Sequence, residues 1–172
     1  MYRGRGGVYD KYHLIFIKNH LYMETIGACS WGQKFKDEAY LLLRVVTGLV
    51  FVVHGYDKVV TKGIPDVAGF FNGVGIPFPT LCAPLVAYGE LLGGIALILG
   101  VFTHWIAKLN VIIMLGAIFF VHLAKGYNIL EGGYEYALLI LVVNIVIATM
   151  GAGKYSVDAW CKKCMPAKAP QV

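Results

Sequence analysis

The chain of 172 residues is 58% hydrophobic and only 15% charged, with a mean hydropathy of +0.67. A soluble domain is about 45–50% apolar, so this composition excludes an ordinary soluble domain and indicates that lipid is the solvent. The formal net charge of +5 comes from basic residues near the two ends and beside the apolar runs. That distribution is the positive-inside pattern of membrane proteins. We therefore expect a small integral membrane protein that contacts lipid and binds no nucleic acid.

Four apolar stretches each approach the ~20 residues that a helix needs to cross about 30 Å of hydrocarbon. They are residues 39–57, 80–102, 105–124 and 134–152. Glycine and proline residues lie in the gaps between them, as is typical of connections. The pattern predicts an all-α fold in which four transmembrane helices form an up-down bundle.

A second kind of segment, "KGIPDVAGFFNGVGIPFPT", separates the first two stretches. Its apolar residues recur at helical spacing: Ile64, Val67, Phe70, Phe71 and Val74. A segment with this periodicity lies in the membrane interface. We predict that it forms an amphipathic helix that covers the outer end of the bundle.

Lysine and arginine residues also predict the orientation. They are more numerous before the first span and after the fourth than in the two outer links, so both termini should be cytoplasmic. We expect a cytoplasmic N-terminal extension over residues 1–38, a membrane domain over 39–153 and a basic cytoplasmic tail over 154–172. Residues 1–22 differ in composition from the rest, and we expect that Met23 is the natural start and that they are not native.

Three titratable side chains from three helices are predicted to meet at one depth. With a rise of 1.5 Å per residue, His54 lies about 9 Å to the outer side of its span's centre, His122 about 11 Å and Glu135 about 12 Å. Lys58 and Tyr136 lie near the same level. This level would be covered by the amphipathic segment.

Several interpretations of these residues remain open. A hydrogen-bonded network that ties helix ends together would be structural. A quinone site would use His54 and His122 as donors to the quinone carbonyls, with Glu135 exchanging protons and Lys58 and Tyr136 binding the cofactor. Two imidazoles and a carboxylate also match known metal ligand sets. Bis-imidazole haem fits less well, because bulky phenylalanine and valine residues flank both histidines.

Two charged residues lie deeper in the predicted spans. Glu90 is close to the centre of the second span, and Arg44 is about 6 Å to the cytoplasmic side of its own centre. An unpaired charge at this depth costs at least ~2.5 kcal/mol, so each needs a partner. We predict that Arg44 and Glu90 form an ion pair, with Gly48, Gly93 and Gly94 allowing the helices to approach closely. The competing interpretation makes Glu90 a proton carrier to a quinone.

A CxxC motif follows the fourth span, at Cys161 and Cys164 after Trp160. The thioredoxin-type motif works at the head of a helix in a βαβ domain, which the tail of this chain is too short to form. The cytoplasm is reducing, so no structural disulfide is expected. We expect a solvated tail, with half of a zinc site shared between two chains as the alternative.

Several of these stretches resemble the DoxX family of membrane proteins over about residues 40–160. The resemblance is carried by "LLLRVVTGLVFVVHGYDKV", "AGFFNGVGIP", "LVAYGELLGGIALILGVFT", "VHLAKGY" and "GGYEYALLILV". It implies a multi-pass protein with four helices in the inner (plasma) membrane of a prokaryote. The family's namesakes are associated with thiosulfate:quinone oxidoreductase. The family positions that the chain keeps are Arg44, His54, Gly55, Glu90, His122, Gly133, Glu135 and Tyr136.

The resulting hypothesis is a membrane subunit of a quinone-linked oxidoreductase that acts on thiosulfate or another sulfur compound. Quinone is the implied cofactor, and the electrons would come from an oxidoreductase partner subunit or from a small donor. The alternative is a non-catalytic accessory protein that binds and stabilises a partner complex, and a homo-oligomer is compatible with either. A carrier for a solute or proton would need the discontinuous helix pair of transporters, which the sequence does not show.

Overall fold

The computed structural model describes residue 32 and residues 34–164. The chain divides between residues 39 and 40 into two units, and the second contains the packing and the cavity described below. The predicted start at Met23 and the prediction that residues 1–22 are not native lie outside the described residues. The same holds for the end of the predicted tail, residues 165–172.

Every regular element within residues 34–164 is helical, which confirms the predicted all-α class. The six α-helices are α1 (Lys36–Tyr56), α2 (Ile64–Gly73), α3 (Pro79–Leu99), α4 (Thr103–Ala117), α5 (Glu135–Met150) and α6 (Val157–Cys164). Two of them continue as π-helix, in which each backbone hydrogen bond spans five residues. These π-helical extensions are Asp57–Lys62 after α1 and Ile118–His122 after α4.

Three continuous helical segments are long and apolar enough to cross a membrane. They are Lys36–Lys62, Pro79–Leu99 and Thr103–Lys125, with 27, 21 and 23 residues. Helix α5 is also apolar, but its 16 residues extend only about 24 Å at 1.5 Å per residue. It ends at Gly151, whose φ of 75° an α-helix cannot continue through. The fourth predicted span therefore stays a prediction.

Glycine residues set the distance between α1 and α3. A Cβ atom added to Gly48 would lie 2.7 Å from the carbonyl oxygen of Gly94, and one added to Gly94 would lie 2.6 Å from that of Gly48. The two backbones are thus in direct contact, as is common for small residues between membrane helices. Helix α3 packs in turn against α2 and α4, and α4 packs along α5.

Gly94→Ala is expected to lower the free energy of unfolding by about 1–3 kcal/mol, because the added methyl group must push two backbones apart. The matched control is Gly69→Ala in α2, where an added Cβ meets no atom within 4 Å. This control should be neutral or stabilise by up to about 1 kcal/mol, since alanine favours a helix over glycine. Thermal unfolding of both variants in detergent measures the difference, and equal stabilities would show that α1 and α3 do not touch here.

Helix α2 forms within the segment predicted to be an amphipathic helix. Val67 and Phe71 are buried and pack with Ala83 of α3, as the apolar periodicity indicates. Phe70 differs from the prediction, since half of its surface is exposed. One face of α2 therefore closes the end of the bundle, and its place in a membrane interface stays a prediction.

Candidate functional site

A cavity of about 450 Å³ lies beneath α2, at the end of the bundle where α1 finishes. Residues from α1 to α5 line it, and most are apolar. Its apolar wall includes Phe51, Phe71, Val86, Ile113, Met114 and Ile140. Its polar groups are the side chains of His54, Lys58, Lys62, Cys82, Glu90, His122 and Tyr136. Mostly apolar walls with a few polar groups are typical of sites that bind a small organic molecule.

An ion pair lies in the wall of this cavity. The ammonium nitrogen of Lys58 is 2.5 Å from Oε2 of Glu90, and Glu90 is only 4% exposed. The same nitrogen is 3.4 Å from the carbonyl oxygen of His54. Because each charge of a buried pair depends on the other, removing one partner of such a pair is strongly destabilising.

Both π-helical extensions border the cavity. The extension of α1 carries Lys58 and Lys62, and the extension of α4 carries Phe120 and His122. A π-helical turn alters the direction of the side chains that follow it and is frequent at functional sites. Nδ1 of His122 lies 2.7 Å from the carbonyl oxygen of Gly132. A carbonyl only accepts, so this nitrogen donates, and neutral His122 keeps its other ring nitrogen as an acceptor.

The structure brings together most, but not all, of the residues predicted for the site. His54, Lys58, Glu90, His122 and Tyr136 all line the cavity. Glu135 does not, which corrects the predicted grouping with the two histidines. It lines a separate, open groove with Tyr127 and Leu139, and its Oε2 accepts a hydrogen bond from the backbone N–H of Ile129 at 3.2 Å. Successive residues of a helix project in different directions, so Tyr136 and Ala137 turn to the cavity and their neighbour does not.

In the part of the chain that the structure describes, no set of ligands supports the metal interpretation. No group of three or more histidine, cysteine, aspartate or glutamate residues within residues 34–164 is placed to hold a metal ion. Cys161 and Cys164 lie on α6, and both thiols are free.

The predicted ion pair between Arg44 and Glu90 is not formed. Glu90 binds Lys58, and the buried Arg44 donates to two backbone carbonyls beyond the end of α5, those of Ala152 and, at 2.6 Å, Tyr155. Carbonyl groups in a connection have no partner within a helix, and a guanidinium group forms strong charge-assisted hydrogen bonds to such acceptors. The long guanidinium side chain reaches towards this end of the bundle and away from Glu90.

A second contact fixes α6 at the Arg44 end of the bundle. The carboxylate of Asp158 accepts hydrogen bonds from the backbone N–H groups of Phe102 at 3.0 Å and Thr103 at 3.1 Å. It therefore caps the start of α4, where backbone donors are unpaired. The predicted tail is thus helical over residues 157–164 and is bound at the start of α4, and none of these residues is buried.

Two polar residues that line the cavity, Cys82 and Lys62, had no functional assignment from the sequence. Cys82 carries no motif, and only the three-dimensional packing of α3 against α2 places its thiol in the cavity. Lys62 could have been found, because it follows His54 and Lys58 at intervals of four residues. That spacing places side chains on one face of a helix.

The helices and the cavity define a helical membrane protein with a mostly apolar internal site. The DoxX family model matches residues 39–123. A relative of Bacillus subtilis, "Putative oxidoreductase CatD", supports the same assignment. It is 32% identical over 123 residues, and the match covers 72% of this chain and 87% of CatD. The chain belongs to the DoxX family.

Two further relatives are similar to this chain over most of their own length. An uncharacterized protein of Haemophilus influenzae is 33% identical over 130 residues, which is 73% of this chain and 92% of that protein. The inner membrane protein YqjF of Escherichia coli is 28% identical over 133 residues, 76% of this chain and 98% of YqjF. No solved structure matches the chain.

Proposed function

We propose that this protein is a membrane subunit of a quinone-linked oxidoreductase and that its cavity binds the quinone headgroup. The observation that carries the proposal is the mostly apolar cavity with the Lys58–Glu90 ion pair and the imidazoles of His54 and His122 in its wall. A quinone ring is flat and apolar and has two carbonyl oxygens, so it needs apolar walls and a few hydrogen-bond donors. The oxidoreductase name of CatD supports redox chemistry.

The polar groups of the cavity match the needs of quinone reduction. A quinone takes up two electrons and two protons to become a quinol. Lys58 supplies a donor and positive charge, and His54 a further donor, that stabilise the oxygen anions formed as the electrons arrive. Glu90 and the imidazoles are groups that can release the protons. The electrons are assigned to a redox group of a partner subunit or to a small sulfur-containing reductant such as thiosulfate.

The proposed arrangement in the membrane has four crossing helices. Helix α5 supports it, because most of its residues are apolar and it packs along α4. In this arrangement α2 lies in the outer interface, the cavity opens towards the outer leaflet and both termini are in the cytoplasm of a prokaryote. The basic residues near the two ends of the chain favour this orientation.

Narrowing the cavity tests the quinone site. Val86 lines the cavity, so we expect Val86→Phe to weaken the binding of a short-chain quinone at least ~10-fold, because the added ring carbons occupy space that the headgroup needs. The matched control is Leu85→Phe, which adds a ring to the exposed surface of the same helix. Binding is measured by titrating the purified full chain in nanodiscs with the short-chain quinone.

The outcomes of this titration separate the two functional classes. Saturable binding that is lost in Val86→Phe and kept in Leu85→Phe supports the quinone site. An absence of binding by the wild-type protein, or equal binding by both variants, contradicts it. Retention of a stable partner by a wild-type protein that binds no quinone would instead favour the non-catalytic accessory role.

A further inference from the structure

A set of buried polar atoms has no hydrogen-bond partner among the described residues. They are Nε of Arg44, Oγ1 of Thr103, both amide heteroatoms of Asn110 and Oδ1 of Asn144. None of these four residues is more than 1% exposed. Buried polar groups in proteins are nearly always paired, and the interior of a membrane makes an unpaired group especially costly. The set therefore needs a physical explanation.

These atoms form a series that extends from the Arg44 end of the bundle towards the cavity. Thr103 and Asn110 are seven residues apart on α4, which places them on one face of the helix and about 10 Å apart along its axis. Oδ1 of Asn110 lies 3.4 Å from the position of a Cβ atom on Gly93. Gly93 is three residues, or about one turn, from Glu90 on α3. The amide of Asn110 therefore lies close to the helix that carries Glu90.

The far end of the series has a balanced pair of charges. A Cβ atom on Gly100 would lie 2.9 Å from Nη1 of Arg44, so the guanidinium borders the short connection between α3 and α4. The carboxylate of Asp158 binds the backbone of Thr103 in the same connection. A lone guanidinium would repel protons at this point, and the neighbouring carboxylate reduces that barrier.

Helix α5 contributes the remaining polar atom. Nδ2 of Asn144 donates to the carbonyl oxygen of Ile140 at 2.8 Å, which leaves its Oδ1 free. Helix α5 packs along α4, the helix of Thr103 and Asn110. Amide and hydroxyl groups such as these can each donate to or accept from a water molecule.

We propose that bound water molecules hydrate this polar track and carry protons from the Arg44 end of the bundle to Glu90. A buried water typically binds two to four polar groups, and each unpaired atom of the track offers one such partner. The use of the proton rests on the proposed quinone site. One O–H bond of a hydrated proton breaks at the mouth of the track and one forms on the Glu90 carboxylate. That bond breaks in turn when the proton passes to the oxygen of a quinone that the donor named above has reduced.

Hydroxyl-radical footprinting tests the hydration directly, because radicals made from bound water oxidise the side chains next to it. Ile106 is the reporter, since its Cγ2 lies beside Gly93 and Asn110. In nanodiscs we expect Ile106 of the full chain to be oxidised at least ~5-fold faster than Leu115, an exposed residue of the same helix that does not line the cavity and faces lipid in the proposed arrangement. Asn110→Leu should remove this difference. Equal rates in the wild-type protein would overturn the proposal.

Proton delivery is measured separately, by a pH jump on the Arg44 side of oriented proteoliposomes. The infrared band of the Glu90 carboxylic acid, identified by its loss in Glu90→Gln, reports arrival of the proton. Asn110→Leu should slow it at least ~10-fold and leave quinone affinity within about 2-fold, whereas the control Leu109→Ile should change neither. An unchanged rate in Asn110→Leu would overturn the proposal.

A second variant covers the case in which Asn110→Leu does not fold. Thr103→Val removes an unpaired hydroxyl at nearly constant shape and should slow the same signal, and an unchanged rate would contradict the track. Failure of the quinone site gives a different pattern, in which the wild-type protein binds no quinone while Ile106 is still oxidised and Glu90 is still protonated through the track.

Discussion

Lys58→Met is expected to lower the free energy of unfolding by about 3–5 kcal/mol, because it leaves the carboxylate of Glu90 buried without its partner. Most of this loss should return in the double variant Lys58→Met with Glu90→Leu, since no uncompensated charge remains in the bundle wall. Neither variant should bind quinone. The single variant lacks the cation of Lys58, and the double variant also lacks the carboxylate of Glu90 that carries the proton. Denaturant unfolding in detergent and quinone titration measure the two effects.

A matched control for this prediction lies one turn further along the same π-helix. Lys62 also forms an ion pair, at 2.6 Å from Asp57, but its side chain is 60% exposed. Exposed pairs contribute about 0–1 kcal/mol, so Lys62→Met should have an effect within that range. A loss of less than about 1 kcal/mol in Lys58→Met as well would show that Glu90 does not depend on Lys58. Quinone binding by the stable double variant would contradict the proposed role of the pair.

Hydrophobicity along the chain was sufficient to predict the class and three of the helices that could span a membrane. The reason is physical, because a helix in lipid satisfies its own backbone hydrogen bonds and needs about 20 apolar residues to cross. The π-helical extensions after α1 and α4 could not be predicted in this way. Their sequences, "DKVVTK" and "IFFVH", carry no helix-breaking residue. Local preference therefore does not account for the wider helix there.

The sequence predicted which residues of the candidate site lie at the same depth in the membrane, but not which way their side chains point. The rise of 1.5 Å per residue correctly placed His54, Lys58 and His122 at one end of the bundle, and all three line the cavity. Depth gives no information about direction around a helix axis, so the same reasoning wrongly grouped Glu135 with them. The sequence reasoning also considered only charged side chains as partners for a buried charged side chain. It therefore missed the backbone carbonyls of Ala152 and Tyr155, which are the actual partners of Arg44.

The unpaired amides show a second limit of sequence reasoning. Asn110 and Asn144 each interrupt an apolar run, and a single polar residue in a membrane helix is readily explained as a contact between helices. Only the structure shows that both atoms of one amide and the oxygen of the other have no partner within the described residues. They lie between Arg44 at one end of the bundle and the cavity, with its ion pair at Glu90, at the other.

Arg44→Leu is expected to destabilise the protein by at least about 3 kcal/mol, because hydrogen bonds to a charged group contribute about 1.5–3 kcal/mol each and two are lost. Arg44→Lys should not restore the stability, since an ammonium group lacks the rigid fork that reaches both carbonyls. The connection over residues 151–156 should also become sensitive to proteases. Thermal unfolding and limited proteolysis measure these effects.

Double-mutant cycles decide whether Lys58 or Arg44 is the partner of Glu90. Arg44 and Lys58 are fourteen residues apart on one continuous helix, about 20 Å along its axis, so Arg44→Leu should leave quinone affinity within about 3-fold. A double-mutant cycle between Arg44 and Glu90 should give a coupling energy below about 0.5 kcal/mol, as for distant sites. The cycle between Lys58 and Glu90 should give several times that value, because the two groups are in contact. A large coupling between Arg44 and Glu90, with loss of quinone binding in Arg44→Leu, would instead restore the ion pair predicted from the sequence. In that case the wall of the cavity would be built around a different cation.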